Sequence, residues 1–256
     1  MQTMRLNEFH HYCKDLLFMD DFAAIDPSQN GIQVERQEQE LKKLVFAVDA
    51  SLQTFRQAAE MGADLIFVHH GIFWGHESVL TGAHYQRIRF LLEHDMALYA
   101  VHLPLDAHAE LGNNSRMAAA LGIPAPEPFG WYKGRSIGFK GTLPDSVDVD
   151  EVLRRLGIDS EDCNAVLPFG APDIRSVGII SGGSSRDIRQ AIDENLDLFI
   201  SGEGDHTIYH EAQENRINML AVGHYASETW GVSAMAEQVA RDTGLETHFI
   251  DIPTGL

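Results

Sequence analysis

Short apolar runs recur along this chain, and each is followed by a stretch whose apolar residues fall three or four apart. Leu44-Val-Phe-Ala-Val48 reads as a buried strand. Asp49-Ala-Ser51 then supplies a helix cap, and Leu52, Phe55, Ala58 and Ala59 keep helical spacing until Gly62. Residues 65–68 make the next strand, 85–94 a helix with Ile88, Leu91 and Leu92 on one face, and 97–101 a third strand. Pro104 is expected to stop regular structure there. Strands that alternate with helices in this way mean βαβ units and a mostly parallel sheet, which makes the chain α/β.

The same order returns further on. Val177-Gly-Ile-Ile-Ser181 is a strand, 185–194 a helix, 196–200 a strand, 208–213 a helix and 218–222 a strand. Ala63-Asp-Leu-Ile-Phe-Val aligns on Leu196-Asp-Leu-Phe-Ile-Ser, which sets Asp64 on Asp197, 133 positions later. His102-xxx-Asp106 aligns on His224-xxx-Glu228 at an offset of 122, so the second copy is shorter by 11 residues, around 75–84. A repeated order of elements points to internal duplication. Gly122-Ile-Pro-Ala-Pro-Glu-Pro-Phe-Gly130 is the most proline-rich stretch and reads as a linker or crossover. It divides the chain into an α/β repeat over 1–125 and a second over 126–256, with elements able to exchange between them.

The bulk numbers limit the function more than the fold. Thirty-eight acidic residues against 19 basic ones give a net charge of −19. Such a surface repels phosphodiester backbones, and no Lys/Arg run offsets it, which disfavours non-specific DNA or RNA binding in the absence of a local basic patch. Cys13 and Cys163 fit no zinc or redox spacing, which suits the reducing cytoplasm. The first twenty residues have no signal-peptide apolar core, and no run approaches membrane-spanning length.

The chemistry gathers at the downstream ends of the strands, where open α/β sheets bind ligands. His69-His70-Gly71 follows one apolar run, His102 another, and Glu203 and His224 hold the corresponding places in the second repeat. Imidazole with carboxylate, and no thiolate, suits first-row divalent cations. Consecutive side chains on a strand point opposite ways, so the histidine pair can serve two neighbouring ions. Taken alone, the pair reads equally well as a polar turn, and Glu228 as a first-turn carboxylate held by the helix dipole. With His224 four residues before Glu228, and His102-xxx-Asp106 in the other repeat, the metal reading is the stronger. His206, after Glu203 and Asp205, is placed to meet substrate. His10, His11, His84, His94, His108 and His248 read as surface or core residues, and His76 sits on a Gly-rich loop. Ser181-Gly-Gly-Ser-Ser185 leads from a strand into a helix and offers a weak phosphate cradle without a P-loop lysine.

Asn30-Gly-Ile-Gln-Val34, Val68-His-His-Gly-Ile-Phe73, His102-Leu-Pro-Leu-Asp106, Ser201-Gly-Glu203 and Ala221-Val-Gly-His224-Tyr-Ala-Ser-Glu228 span nearly the whole chain. Together they resemble the dinuclear-metal-centre hexameric proteins known as GTP cyclohydrolase I type 2 homologs, with a Nif3-like fold. The chain lacks the extra middle domain of some members, and Thr254 stands where the family pattern leads one to expect Asn. The resemblance implies two intertwined α/β repeats in a hexameric ring. It implies two divalent ions per subunit, held by His69, His70, Asp106, His224 and a bridging Glu228, with His102 close by. Zinc, manganese, iron and nickel all suit such donors. The expected activity is a metal-dependent hydrolase acting on a nucleotide-like or other phosphate-bearing small molecule. His70 and Asp106 would serve one ion and His69 and His224 the other, with His102, Glu203 or His206 moving protons. The competing expectation is a non-catalytic metal-binding hexamer that acts as regulator or scaffold.

Overall fold

The computed structural model describes residues 2–75 and 78–256; His76 therefore lies outside the described residues. The chain divides into two compact units, Met1–Leu105 with Val232–Ile252, and Asp106–Gly231 with Pro253–Leu256. This differs from a division at 125. The reason is the helix Asn113–Leu121, whose Met117, Ala118 and Leu121 pack among Leu143, Val152 and Ile179 of the second unit's core.

Along the first unit run β1 (Met4–Arg5), α1 (Leu6–Leu16), β2 (Gly31–Val34), β3 (Glu40–Leu41), β4 (Lys43–Asp49), α2 (Leu52–Glu60), β5 (Leu65–His70), α3 (Gly82–Glu93), β6 (Ala97–Ala100) and α4 (Leu103–Asp106). The second unit carries α5 (Asn113–Leu121), β7 (Glu127–Tyr132), β8 (Arg135–Val147), α6 (Val149–Leu156), β9 (Ala165–Pro168), β10 (Ile174–Ile180), α7 (Ile188–Asp193), β11 (Leu198–Ser201), α8 (Tyr209–Asn215) and β12 (Asn218–Ala221). Last come α9 (His224–Thr243) and β13 (Glu246–Phe249).

In the first unit five strands lie in the order β13-β4-β5-β6-β2, parallel except for β2. Both faces are covered, which is why β4, β5 and β6 read as continuous apolar runs. On one face Phe46, Phe67 and Tyr99 stand side by side across the ladder, with ring centroids 5.1 and 5.7 Å apart. On the other, Val45, Ile66, Val68 and Leu98 meet Phe55 and Ala58 of α2. The Ser51 hydroxyl caps α2 by accepting the Thr54 amide at 3.1 Å.

The second unit has six strands in the order β7-β8-β10-β11-β12-β9, parallel in the centre and antiparallel toward both edges. The supposed linker is partly a strand: Glu127–Tyr132 is β7, paired with β8. Pro128 is tolerated there because β7 is an edge strand, where a missing N–H breaks no inner ladder. Pro104 likewise does not end regular structure but lies in the short helix α4, whose first turn needs no donor from it.

The two sheets share a plan. The order β4-β5-β6 with antiparallel β2 beyond it matches β10-β11-β12 with antiparallel β9. Asp64 Oδ2 accepts the amides of Lys42 and Lys43 at 2.7 and 2.9 Å, and Asp197 Oδ2 accepts those of Arg175 and Ser176 at 3.0 and 2.7 Å. The offset of 133 thus holds down to individual hydrogen bonds. In the third strand, however, Leu65 pairs with Ala97 as Leu198 pairs with Asn218, an offset of 121. His102 is therefore level with Gly223, and the alignment of His102 on His224 is one residue out of register. No helix among the described residues is long and apolar enough to cross a membrane.

Candidate metal centre

Strand β5 continues through both histidines, so His69 shares the face of Phe67 and His70 that of Val68. Alternation does not keep them apart: the two rings approach to 4.7 Å at the strand end. His69 is fully buried, and its Nδ1–H donates to the Val101 carbonyl at 3.0 Å. His70 Nδ1–H donates to Asp49 Oδ1 at 2.9 Å. Asp49 ends β4 directly opposite His70 in the ladder, so it anchors an imidazole while Ser51 alone caps the helix. His102, just past β6, donates Nδ1–H to Asp26 Oδ1 at 2.9 Å. A neutral imidazole that gives away its Nδ1 proton keeps its lone pair on Nε2. Ligand atoms of His69, His70 and His102 all lie within 4.8 Å of one another, a cluster able to hold a cation.

The Asn30-Gly-Ile-Gln motif now has a physical role. Asn30 Oδ1 accepts the His102 amide at 2.8 Å, and Gln33 Oε1 accepts the amides of Ile72 and Phe73 at 2.7 and 3.3 Å. Gln33 lies so close over Gly71 that any Cβ at that position would overlap its side-chain amide.

In the second unit α9 starts at His224, which puts Glu228 in its second turn and weakens a purely dipolar account of that carboxylate. His224 and Glu228 lie on one helix face, with Nε2 and Oε1 3.2 Å apart. His224 Nδ1–H donates to Glu203 Oε1 at 2.6 Å. The hydrogen bond to Glu228 is the main cause that raises the His224 pKa to about 9; burial opposes it, and the Glu228 and Glu203 charges reinforce it. Gly182 turns with φ +64°, and a Cβ there would overlap Glu228 Oε1.

Asp106 is buried, and its Oδ1 accepts Asn113 Nδ2 and Ser181 Oγ, both at 2.9 Å. Asn113 Oδ1 in turn accepts the Gly231 amide at 2.6 Å, and Asn114 Oδ1 the Ser181 amide at 2.7 Å. The phosphate-cradle reading of residues 181–185 loses three of its five amide donors here. The Ser181 amide is held by Asn114, that of Gly182 by Ser227 Oγ, and that of Ser184 by the Gly182 carbonyl. Helix α7 is also preceded by a 3₁₀ turn at Ser185–Asp187. Glu203 and His206 both sit exposed in the loop after β11, His206 opening a 3₁₀ turn capped by Asp205.

Sequence reasoning does not single out Asp26, Asn113 or Asn114. Two consecutive asparagines ahead of an apolar helical run, Asn113-Asn114, are the signal that was there to be read.

Residues 4–255 match the model of the Duf34/NIF3 (NGG1p interacting factor 3) family. The chain belongs to this family. A Duf34/NIF3 relative from Archaeoglobus fulgidus, named GTP cyclohydrolase 1 type 2 homolog, is 45% identical over 93% of this chain and 97% of its own. One of the same name from Treponema pallidum is 40% identical over 99% of this chain and all of its own. Among solved structures, TTHA1606 from Thermus thermophilus superposes with a TM-score of 0.88 at 36% identity, covering 99% of this chain and 100% of that one. The mixed parallel and antiparallel α/β architecture described above is thus one that this Duf34/NIF3 family member shares with TTHA1606.

Proposed function

We propose that this protein is a dinuclear-metal hydrolase acting on a nucleotide-like or other phosphate-bearing small molecule. His70 and Asp106 would hold one cation and His69 and His224 the other, with Glu228 shared between them. The observation that carries the reading is the keying of four histidines. Each gives its Nδ1 proton to an oxygen, three of them to carboxylates, which turns Nε2 of His69, His70 and His224 toward a metal and leaves Nε2 of His102 more basic. The donors are nitrogen and oxygen only, which fits zinc, manganese, iron or nickel.

Bound cations would supply Lewis acidity and positive charge that an acidic chain otherwise lacks. Around them Glu203 orients His224, His102 accepts a proton, and His206 meets the substrate. The name GTP cyclohydrolase 1 type 2 homolog, carried by the relatives, makes GTP-type ring opening the specific version. A hexamer is the proposed assembly. The cytoplasm is the proposed compartment, consistent with two free cysteines.

The test is turnover by metal-loaded protein against a panel of nucleotides, phosphodiesters and pterins. Activity that disappears in His70→Ala and Glu228→Ala supports the hydrolase. A blank panel with tight metal binding favours a non-catalytic scaffold.

A further inference from the structure

The Asp26 carboxylate, beside the histidine cluster, has no exposed side-chain surface. An ionised carboxylate so placed is costly unless donors surround it. Four do. Oδ1 accepts the Ser28 amide and His102 Nδ1–H, each at 2.9 Å, and Oδ2 accepts Asn30 Nδ2 at 2.8 Å and the Leu103 amide at 2.9 Å. Burial works to raise its pKa, but the hydrogen bond and charge of His102, with Asn30 and Ser28, hold it below the ordinary carboxylate value.

His102 is gripped twice more, once by the same loop and once from the segment after β5. Asn30 Oδ1 takes its amide, and the indole of Trp74 stands edge-on to its ring, centroids 5.0 Å apart at 77°. The ring is left with one direction in which to act, with a ligand atom inside the group formed with His69 and His70.

We infer that Asp26 is a positioning residue that acts through His102: it fixes the Nδ1–H tautomer and thereby presents the Nε2 lone pair to the reacting centre as a proton acceptor. This rests on the hydrolytic reading above. The logic is that of a carboxylate–imidazole dyad, in which the buried acid orients the base and stabilises the imidazolium formed on proton transfer, without itself taking the proton.

The Asx-turn role of Asp26, closing the loop through Ser28 and Asn30, would be purely structural, and one substitution separates the two. In Asp26→Asn the Asn30 and Leu103 donors keep the amide oxygen at the Oδ2 place. The NH2 group then faces His102 Nδ1, which must accept, so the proton moves to Nε2. The loop keeps two of its donors, but the tautomer inverts.

The experiment is two-bond ¹H–¹⁵N correlation on histidine-labelled, zinc-loaded protein, with zinc stoichiometry measured alongside. The expected result is His102 as the Nδ1–H tautomer with Nε2 not bound to zinc, inverted to Nε2–H in Asp26→Asn at unchanged zinc content. Asn30→Ala, which removes a neighbour but leaves the carboxylate, should keep the wild-type tautomer. With bis(p-nitrophenyl) phosphate as probe, kcat should fall about 10²-fold or more in Asp26→Asn while KM holds. A wild-type His102 protonated on Nε2, a zinc-bound Nε2, or an unchanged tautomer in Asp26→Asn would overturn the inference. The wild-type spectrum decides even if that variant fails to fold. Absence of any turnover in the wild type would count against the hydrolase, and the spectra would still decide the role of Asp26.

Discussion

At the scale of single residues, the His224 and Glu228 cluster of the second unit is held by contacts that leave no room for an extra methyl group. Gly182 lies against Glu228 Oε1, so Gly182→Ala must push that carboxylate aside. Losing a group that merely orients a ligand costs about 10- to 100-fold in affinity, and displacing a carboxylate that is itself a ligand should cost at least as much. Competition with a chromogenic chelator should show that loss, alongside the fall in melting temperature that a Cβ at φ +64° brings; wild-type affinity in the variant would argue that Glu228 is not a ligand. His224 gives a pH prediction. Its pKa in the fold, about 9, lies above its ordinary 6.5. The imidazolium therefore stabilises the metal-free protein fully below pH 6.5, and that contribution is lost as pH rises through about 9. A cation must displace the same proton, so uptake at about pH 7.5 should release about one proton at this residue, and affinity should climb with pH toward 9. Titration calorimetry in buffers of different ionisation enthalpy measures the proton; equal heats in all buffers would contradict it.

At the scale of elements, the duplication is visible in equivalent bonds. Asp64 and Asp197 each tie the start of one strand to the start of the next by accepting two successive amides. Replacing either by Ala leaves amides without their acceptor, at a cost of about 1–3 kcal/mol. Urea denaturation should find both substitutions destabilising within that range. A neutral effect at either position would mean that the shared bond is ornamental in that copy. The Ser51 cap is a smaller case of the same kind: Ser51→Ala should cost about 1 kcal/mol. The copies diverge at their edges, where β13 runs parallel to β4 while β8 runs antiparallel to β10.

At the scale of the whole molecule, charge is the governing quantity. A net −19 opposes any compact state, and more so an assembly of several copies. Salt screens that repulsion, with a Debye length of about 8 Å at physiological ionic strength. Raising sodium chloride from low to physiological levels should therefore raise the melting temperature. Removing metal with a chelator should lower it by withdrawing positive charge from the histidine and carboxylate clusters. Sedimentation velocity in parallel tests the proposed hexamer: an assembly of that mass that stays intact and equally heat-stable without metal would show that the cations have no part in holding it together.

The sequence by itself determined the elements with a strong period. The strands β4, β5, β6, β10, β11 and β12 were legible because burial on both faces demands unbroken apolar runs, and the clustering of histidines at their downstream ends follows from parallel topology. It also carried the Asp64–Asp197 equivalence, since the same residue meets the same amides in both copies. Only the tertiary structure decided the rest. The antiparallel strands β2, β7, β8 and β9 lie in stretches broken by Pro, Gly and polar residues, whose conformation depends on the neighbour they pair with. The one-residue slip between His102 and His224 is a matter of ladder register, which no local pattern records. The carboxylates that orient the histidines, Asp26, Asp49 and Glu203, lie 76, 21 and 21 positions from their partners. Their roles exist only once the strands have brought those positions together.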